Sequence, residues 1–371
     1  MRVVHLITTL ERGGAEAQLV MLLRHQVHDQ GMEVHVRTLY GGMALAPALM
    51  AAGAASVERL SGDRLSPVAA LRSLTRDLKR LRPGVLHTHL MKSNLLGGLA
   101  GRMVSVPAIV AHKHNDEEHM RRRPLALVHD LLSRMTDDAV IYVSHHVEGF
   151  FRERGPLPHP NGHVIHNGID PGSYRRRRDM RAELGLGPDV LLFGSVGRIA
   201  PQKGMDLLIR AFETVADTHS DAHLMIVGGP GLDPGHVALV EELAHGSRHA
   251  ARIHLTGQTD TPMDAFDAID VFVLASRWEG FGLVLVEAMM AGCRIIATRV
   301  SAISEVVRDG IDGHLVAPED PAALAASMID RAVAGRRPHH PNTDRVSTFS
   351  VDRMSTRIRA LYDSLLEPNP R

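Results

Sequence analysis

The chain has 371 residues, 44% of them apolar, which is enough to organise two hydrophobic cores. Lys plus Arg equals Asp plus Glu at 42 each, which removes a chain-wide electrostatic case for binding nucleic acid. A single cysteine, Cys293, excludes an intrachain disulfide and a Cys-pair zinc site; the apolar run at 3–7 is too short for a signal-peptide core and no run nears the ~18 residues of a membrane span, so a cytoplasmic protein is expected.

The first predicted strand, residues 3–10, leads through Gly13-Gly14 into an amphipathic pattern over 15–28. Gly13-Gly14-Ala15-Glu16 suits a backbone that approaches a phosphate or sugar at a helix N-terminus, and equally a plain tight turn. Short strands follow at 33–39, 85–87, 108–111 and 139–143. The second of these runs into His87-Thr88-His89, with Lys92, Ser93 and Asn94 just beyond. Strand alternation turns His87 and His89 to one face, where they are suited to hold a metal or orient sugar hydroxyls. His112-Lys113-His114-Asn115-Asp116 ends the next strand in the same way.

Residues 155–178 are dense in turn formers, with Pro156, Pro158, Pro160 and three Asn-Gly or Pro-Gly pairs, and read as the seam between two halves. The second half repeats the opening: a strand at 190–196, a loop over 197–204, and a helix at 205–215. Strands at 222–227, 253–255, 271–274 and 294–297 follow, then helices at 321–334 and 351–366 around a Pro/His-rich loop at 336–341. This alternation predicts an α/β protein of two Rossmann-like, doubly wound parallel-sheet domains facing a cleft. The expected divisions are 1–168, 169–345 and a C-terminal segment 346–371.

Two motifs carry the chemistry. In Ser276-Arg277-Trp278-Glu279-Gly280-Phe281-Gly282-Leu283, followed by Val284-Leu285-Val286-Glu287, the glycines let backbone approach a bulky anion. A helix starting near Gly282 points its free N–H groups and positive dipole end at that anion. Glu287, one turn in, is placed to accept ribose hydroxyls, and Glu279, ahead of the helix, to reach the sugar. In Val196-Gly197-Arg198-Ile199-Ala200-Pro201-Gln202-Lys203-Gly204, Arg198 and Lys203 bracket a turn and suit a departing nucleoside diphosphate. Lys203 is one of only four lysines, with Lys79, Lys92 and Lys113. No Asp-x-Asp occurs, so the expectation is that cations and a helix dipole neutralise the diphosphate, with no metal and no other cofactor. Two arginine runs, Arg121-Arg122-Arg123 and Arg175-Arg176-Arg177-Arg178, read as solvated charge, with peripheral contact at the inner membrane face left open.

Gly13-Gly14-Ala15-Glu16, His87-Thr88-His89, Val143-Ser144, Val164-Ile165-His166-Asn167-Gly168-Ile169-Asp170, Val196-Gly197-Arg198 with Lys203-Gly204, and Glu279 through Glu287 together resemble the family 4 retaining glycosyltransferases with GT-B fold. The resemblance runs over residues 1–317, with the motifs in the family's order. It implies that Arg198 and Lys203 hold the donor diphosphate, that Glu287 takes the ribose and that Glu279 meets the sugar's hydroxyls. It places Gly14 where an amide approaches the diphosphate, Phe281 and Gly282 in the donor turn, and Leu283 and Val284 where backbone amides meet phosphate. His89 matches the N-domain histidine beside the reacting sugar, and the last helix is expected to cross back onto the N-terminal domain. One departure is Ser301-Ala302-Ile303-Ser304-Glu305, where the family often has Gly-Gly before a glutamate.

The implied activity is retaining transfer of a hexose or N-acetylhexosamine from a nucleoside-diphosphate sugar, UDP by family frequency. The acceptor is a hydroxyl of a glycan, aminocyclitol, natural product or lipid-linked molecule, in glycan or antibiotic biosynthesis. The loops at 40–46, 60–66 and 112–120 are expected to choose it. A sugar-nucleotide epimerase on the same architecture and a non-catalytic nucleotide-sugar-binding subunit are the competing readings. The absence of a Gly-rich dinucleotide fingerprint disfavours a nicotinamide oxidoreductase.

Overall fold

The apolar runs become two parallel sheets. In the computed structural model, which describes residues 1–64, 66–116, 123–154, 158–173, 177–259, 261–333 and 340–367, the first sheet contains β1 (Arg2–Ile7), β2 (Glu33–Thr38), β3 (Ser56–Arg59), β4 (Val85–His89), β5 (Ala108–Lys113), β6 (Ala139–Tyr142) and β7 (Gly162–Val164). Their order is β3-β2-β1-β4-β5-β6-β7. The second sheet holds β8 (Leu191–Val196), β9 (Ala222–Val227), β10 (Ile253–Gly257), β11 (Val271–Leu274), β12 (Arg294–Thr298) and β13 (His314–Val316), in the order β10-β9-β8-β11-β12-β13. Helices cover both faces, which is why central strands such as β4, β5, β8 and β11 are buried along their whole length, although only β8 and β11 read as near-continuous apolar runs and β4 and β5 end in polar residues.

Chain order reverses between β1 and β4 in the first sheet and between β8 and β11 in the second. Parallel sheets bind ligands beyond the carboxyl ends of the strands that flank such a reversal, because the loops there diverge to opposite faces. Both motif loops of the second half leave that pair: residues 197–204 follow β8 and residues 275–282 follow β11.

Three strands escape the sequence reading: β3, β7 and β13, each only three or four residues long. β7 lies within the stretch read as a seam; its Tyr142↔Val164 pairing to β6 makes it the edge of the first sheet. Conversely, β1 stops at Ile7, because Thr8 and Thr9 already belong to the loop above the sheet.

Met1–Asp170 with Phe349–Arg371 forms one unit and Pro171–Thr348 the other. The C-terminal helix Val351–Leu366 belongs to the first because its apolar stripe, Val351, Met354, Ile358, Leu361 and Tyr362, completes the core formed by Val3, Ile7, Leu19, Leu22 and Val110. Its start is clasped to the family-like Asn167-Gly168-Ile169 segment. Ile169 N donates to Phe349 O at 2.9 Å, Val351 N to Ile169 O at 2.9 Å, and Gln18 Nε2 to Gly168 O at 3.0 Å. A Cβ at Gly168 would lie 2.5 Å from Ser350 O, so only glycine fits.

Among the described residues no helix is long and apolar enough to cross a membrane. Arg121, Arg122, Arg175 and Arg176 of the two arginine runs, Leu65 and residues 117–120 of the expected acceptor loops, and residues 336–339 lie outside the described residues.

Candidate active site

The second reversal point gathers charge. Lys203, at the end of a short 3-10 turn, donates from Nζ to Glu279 Oε1 at 2.5 Å, and Ser276 Oγ donates to the same oxygen at 2.8 Å. Both side chains of the ion pair are largely withdrawn from solvent, at 15% and 7% exposure. Gly204 makes this geometry possible: its φ of +60° turns the chain, and a Cβ there would stand 2.0 Å from Ala275 O. The two loops are further tied by Arg277 N to Gln202 O at 2.8 Å and by Gln202 Nε2 to Trp278 O at 3.0 Å. Arg277 braces them from below through a two-pronged pair with Asp206, at 3.0 and 2.9 Å, and a contact to Glu319 at 2.6 Å.

Gly282, with φ +83°, ends this loop and opens the helix Leu283–Ala291, whose first turn has no side-chain cap. Its amides at Leu283 and Val284, both half-buried, are those that an anion would occupy. Phe281 is buried and anchors the turn instead of presenting its ring to solvent. Glu287 follows on the same helix, half-buried. Burial pushes its carboxyl up from the ordinary 4.5 to about 7, while the Lys203 ammonium pulls the other way. Lys203 thus acts on both carboxylates. Arg198, after β8, is exposed and makes no ion pair among the described residues. The sequence reading gave no role to Ser276, Arg277 or Asp206; Ser276 meets Glu279 three residues on in the same motif, whereas Arg277 and Asp206 are 71 residues apart, too distant for spacing to reveal.

The first reversal point is loaded differently. His5 on β1, His87 and His89 on β4, His112 on β5 and His114 one residue beyond it form a stack of imidazoles between 0% and 7% exposed. Ring centroids of His87 and His89 are 4.3 Å apart, and those of His112 and His114 are 4.2 Å apart. A hydrogen-bonded chain runs from Gln26 Oε1 to His5 Nε2 (2.8 Å), from His5 Nδ1 to His89 Nε2 (2.9 Å), and from His89 Nδ1 to His114 Nε2 (3.1 Å). Burial pushes all five imidazoles below their ordinary pKa, His5 and His114 to about 4, so the cluster is neutral at physiological pH. His89, expected beside the reacting sugar, is buried with Nε2 bonded to His5 and Nδ1 to His114. Alternation rightly puts His87 and His89 on one face, but that face is the sheet's covered side, beneath Tyr362 of the last helix, whose hydroxyl meets His87 Nδ1.

Gly14 starts the helix Gly14–His28, exposed, with no atom within 4 Å of where a Cβ would stand and no side-chain cap ahead of it. Glu305 sits on a single-turn helix, Ile303–Val306, anchored through its own carbonyl to Arg345.

Two doubly wound parallel sheets, the second with an uncapped helix N-terminus beside a lysine and two carboxylates, define a two-domain architecture of GT-B type. The comparisons with known proteins agree. Residues 12–173 match the family model "Glycosyltransferase Family 4" and residues 190–332 match "Glycosyl transferases group 1". The lipopolysaccharide core biosynthesis mannosyltransferase LpsB of Rhizobium meliloti is 32% identical over 248 residues, covering 64% of this chain and 68% of LpsB. D-inositol 3-phosphate glycosyltransferase 2 of Catenulispora acidiphila is 30% identical over 365 residues, 88% of this chain and 84% of that protein. Of three further relatives the chain spans about half the length, between 43% and 54%. HepE of Anabaena in complex with UDP-glucose shares the fold, with a TM-score of 0.82 at 20% identity over 98% of this chain and 100% of HepE. The chain belongs to the family 4, group 1 glycosyltransferases.

Proposed function

We propose that the protein is a retaining glycosyltransferase that takes a hexose or N-acetylhexosamine from a nucleoside-diphosphate sugar, with UDP as the nucleotide, and passes it to a hydroxyl of a glycan, inositol-type or lipid-linked acceptor. The observation that carries this reading is the position of Lys203. It is bonded to Glu279, it pulls on Glu287, and its loop and that of the uncapped helix Leu283–Ala291 leave the strands that flank one reversal point. A dianionic diphosphate fits that set of positive groups without a bridging metal ion. Names among the relatives, a lipopolysaccharide-core mannosyltransferase and D-inositol 3-phosphate glycosyltransferases, and the UDP-glucose in HepE support the donor and acceptor classes.

In this reading Arg198 and Lys203 hold the diphosphate from two sides, and the amides of Leu283 and Val284 meet a phosphate oxygen. Glu287 accepts the ribose hydroxyls. Both bonds to Glu279 land on Oε1, so Oε2 is the oxygen offered to the sugar. As the glycosidic C–O bond breaks, charge builds on the leaving phosphate, where the two cations and the helix end are already aimed. The acceptor hydroxyl attacks from the face that the diphosphate leaves, and the leaving oxygen takes its proton. No side chain becomes a covalent nucleophile, and His89 takes no part in the bond-making step. The N-terminal unit selects the acceptor, and the enzyme works in the cytoplasm.

A stability screen against UDP-, GDP- and ADP-sugars identifies the donor, since a ligand that binds the native state raises its melting temperature. Proton NMR of the product with the matched donor then reads the anomeric configuration. Retention, with a donor-induced shift unchanged by EDTA, is the expected outcome; inversion, or a shift that requires a divalent ion, rejects the mechanism. Conversion of donor without acceptor would identify an epimerase instead.

A further inference from the structure

The proposed transfer uses none of the ring nitrogens of the histidine stack, yet the stack is not a closed hydrogen-bond network. Both nitrogens of His112 and Nδ1 of His114 are buried with no hydrogen-bond partner. A neutral imidazole carries one N–H and one lone pair, so His112 buries both a donor and an acceptor unmet. Buried polar groups of this kind call for a ligand.

The geometry points to a metal ion: we propose that His89, His112 and His114 form a binding site for one borderline divalent transition-metal ion, represented by Zn2+, in the unit that does not carry the donor residues. The backbone arranges the three. His89 and His112 are register partners on adjacent parallel strands, and His114 follows two residues later on the same side. One ring nitrogen from each lies within 4.8 Å of the others. His89 Nδ1 and His114 Nε2, 3.1 Å apart, are already close to the separation of about 3.3 Å that two nitrogens adopt on a tetrahedral Zn2+ with bonds of about 2.0 Å. A rotation of the unbonded His112 ring supplies the third.

The surrounding bonds set the tautomer such a ligand needs. Gln26 Oε1 only accepts, so His5 Nε2 carries the proton, His5 Nδ1 accepts, and His89 must donate from Nε2. The lone pair of His89 is therefore on Nδ1, aimed at His114. This is the outer-shell support, imidazole N–H to a second acceptor, that fixes metal-binding histidines. On binding, the Nε2 proton of His114 moves to its Nδ1 by tautomer exchange, and no proton leaves the site. Three nitrogens leave a fourth position for water, and the lack of oxygen donors selects against Mg2+ and Ca2+. The ion would pin the ends of β4 and β5 together.

The test is competition for Zn2+ between chelator-stripped protein and a chromogenic chelator, for the wild type and for His112→Phe, which keeps the stacked ring and removes both nitrogens. One equivalent bound by the wild type and an affinity lower by at least 100-fold in the variant support the site, a loss beyond the 10–100-fold typical of an outer-shell change. Equal affinity overturns it, because other histidines among the 24 would then account for the binding. If His112→Phe does not fold, X-ray absorption of the wild-type zinc complex decides: a shell with three imidazoles supports the site and an oxygen-dominated shell overturns it. Neither readout depends on transfer activity, so the site and the proposed function stand or fall separately.

Discussion

The two sheets reverse chain order at equivalent places, between β1 and β4 and between β8 and β11, yet they fill those places with opposite chemistry. The first is packed with neutral, buried imidazoles under the C-terminal helix. The second carries a lysine, an exposed arginine and two carboxylates around an uncapped helix end. Topology therefore fixes where a ligand can bind, and the side chains fix which one. Among the described groups the second point offers formal positive charge to an anion, whereas the first offers lone pairs and N–H groups in a dry interior.

The largest expected effect breaks the second point. Arg198→Ala should lower turnover about 10²–10³-fold, the loss of one group aimed at developing charge, while leaving the melting temperature unchanged because the side chain is exposed. Lys203→Ala should lower turnover at least as much and also destabilise the fold by about 3–5 kcal/mol, since it strands Glu279 without its partner. Steady-state kinetics with thermal unfolding separates the two; an equal loss of stability in both variants would contradict the assignment.

Next in size are backbone effects. Gly204→Ala should cost about 1–3 kcal/mol and weaken donor binding, because its Cβ meets Ala275 O and parts the two loops. Gly168→Ala should destabilise comparably through its clash with Ser350, but leave donor affinity intact, because that clasp belongs to the first unit. Denaturant midpoints and donor titrations on both variants sharpen the contrast between the units.

A smaller effect follows from Glu287. Its folded pKa of about 7 lies above the ordinary 4.5, so the native state holds a proton in that window that the unfolded state releases. Its contribution to stability is full below pH 4.5 and is lost as pH rises through 7. Glu287→Gln should therefore raise the melting temperature at pH 8 and give no gain at pH 4. In the wild type, donor affinity should fall up to tenfold per unit below pH 7, as the carboxylate that accepts ribose hydroxyls becomes protonated.

The fold was legible where strands were apolar and largely buried, whatever their length: β8, β9 and β11 could be read from their composition, and the helix Val351–Leu366 from its periodicity. β3, β7 and β13 were not, because they are partly exposed and mix apolar with polar residues, as in Ser56-Val57-Glu58-Arg59 and Gly162-His163-Val164, unlike the similarly short but apolar and buried β6 and β11. In the candidate site, Arg198, Lys203, Glu279 and Glu287 were singled out because glycines and a strand boundary mark their loops, and the structure pairs Lys203 with Glu279. What spacing could not show was pairing. Nothing local in Lys203 announces Glu279, 76 residues away, nor does His89 announce that His5 and His114 occupy both its nitrogens. The histidine spacing gave the right face and the wrong environment, since alternation does not say which face a helix will cover.

The central claim is that the second reversal point holds the donor diphosphate, and amide hydrogen exchange with saturating nucleoside diphosphate tests it most directly. Protection should appear at 197–204 and 276–285 in the wild type and vanish in Arg198→Ala. Protection confined to the loops after β1 and β4, or retained unchanged in the variant, would contradict it.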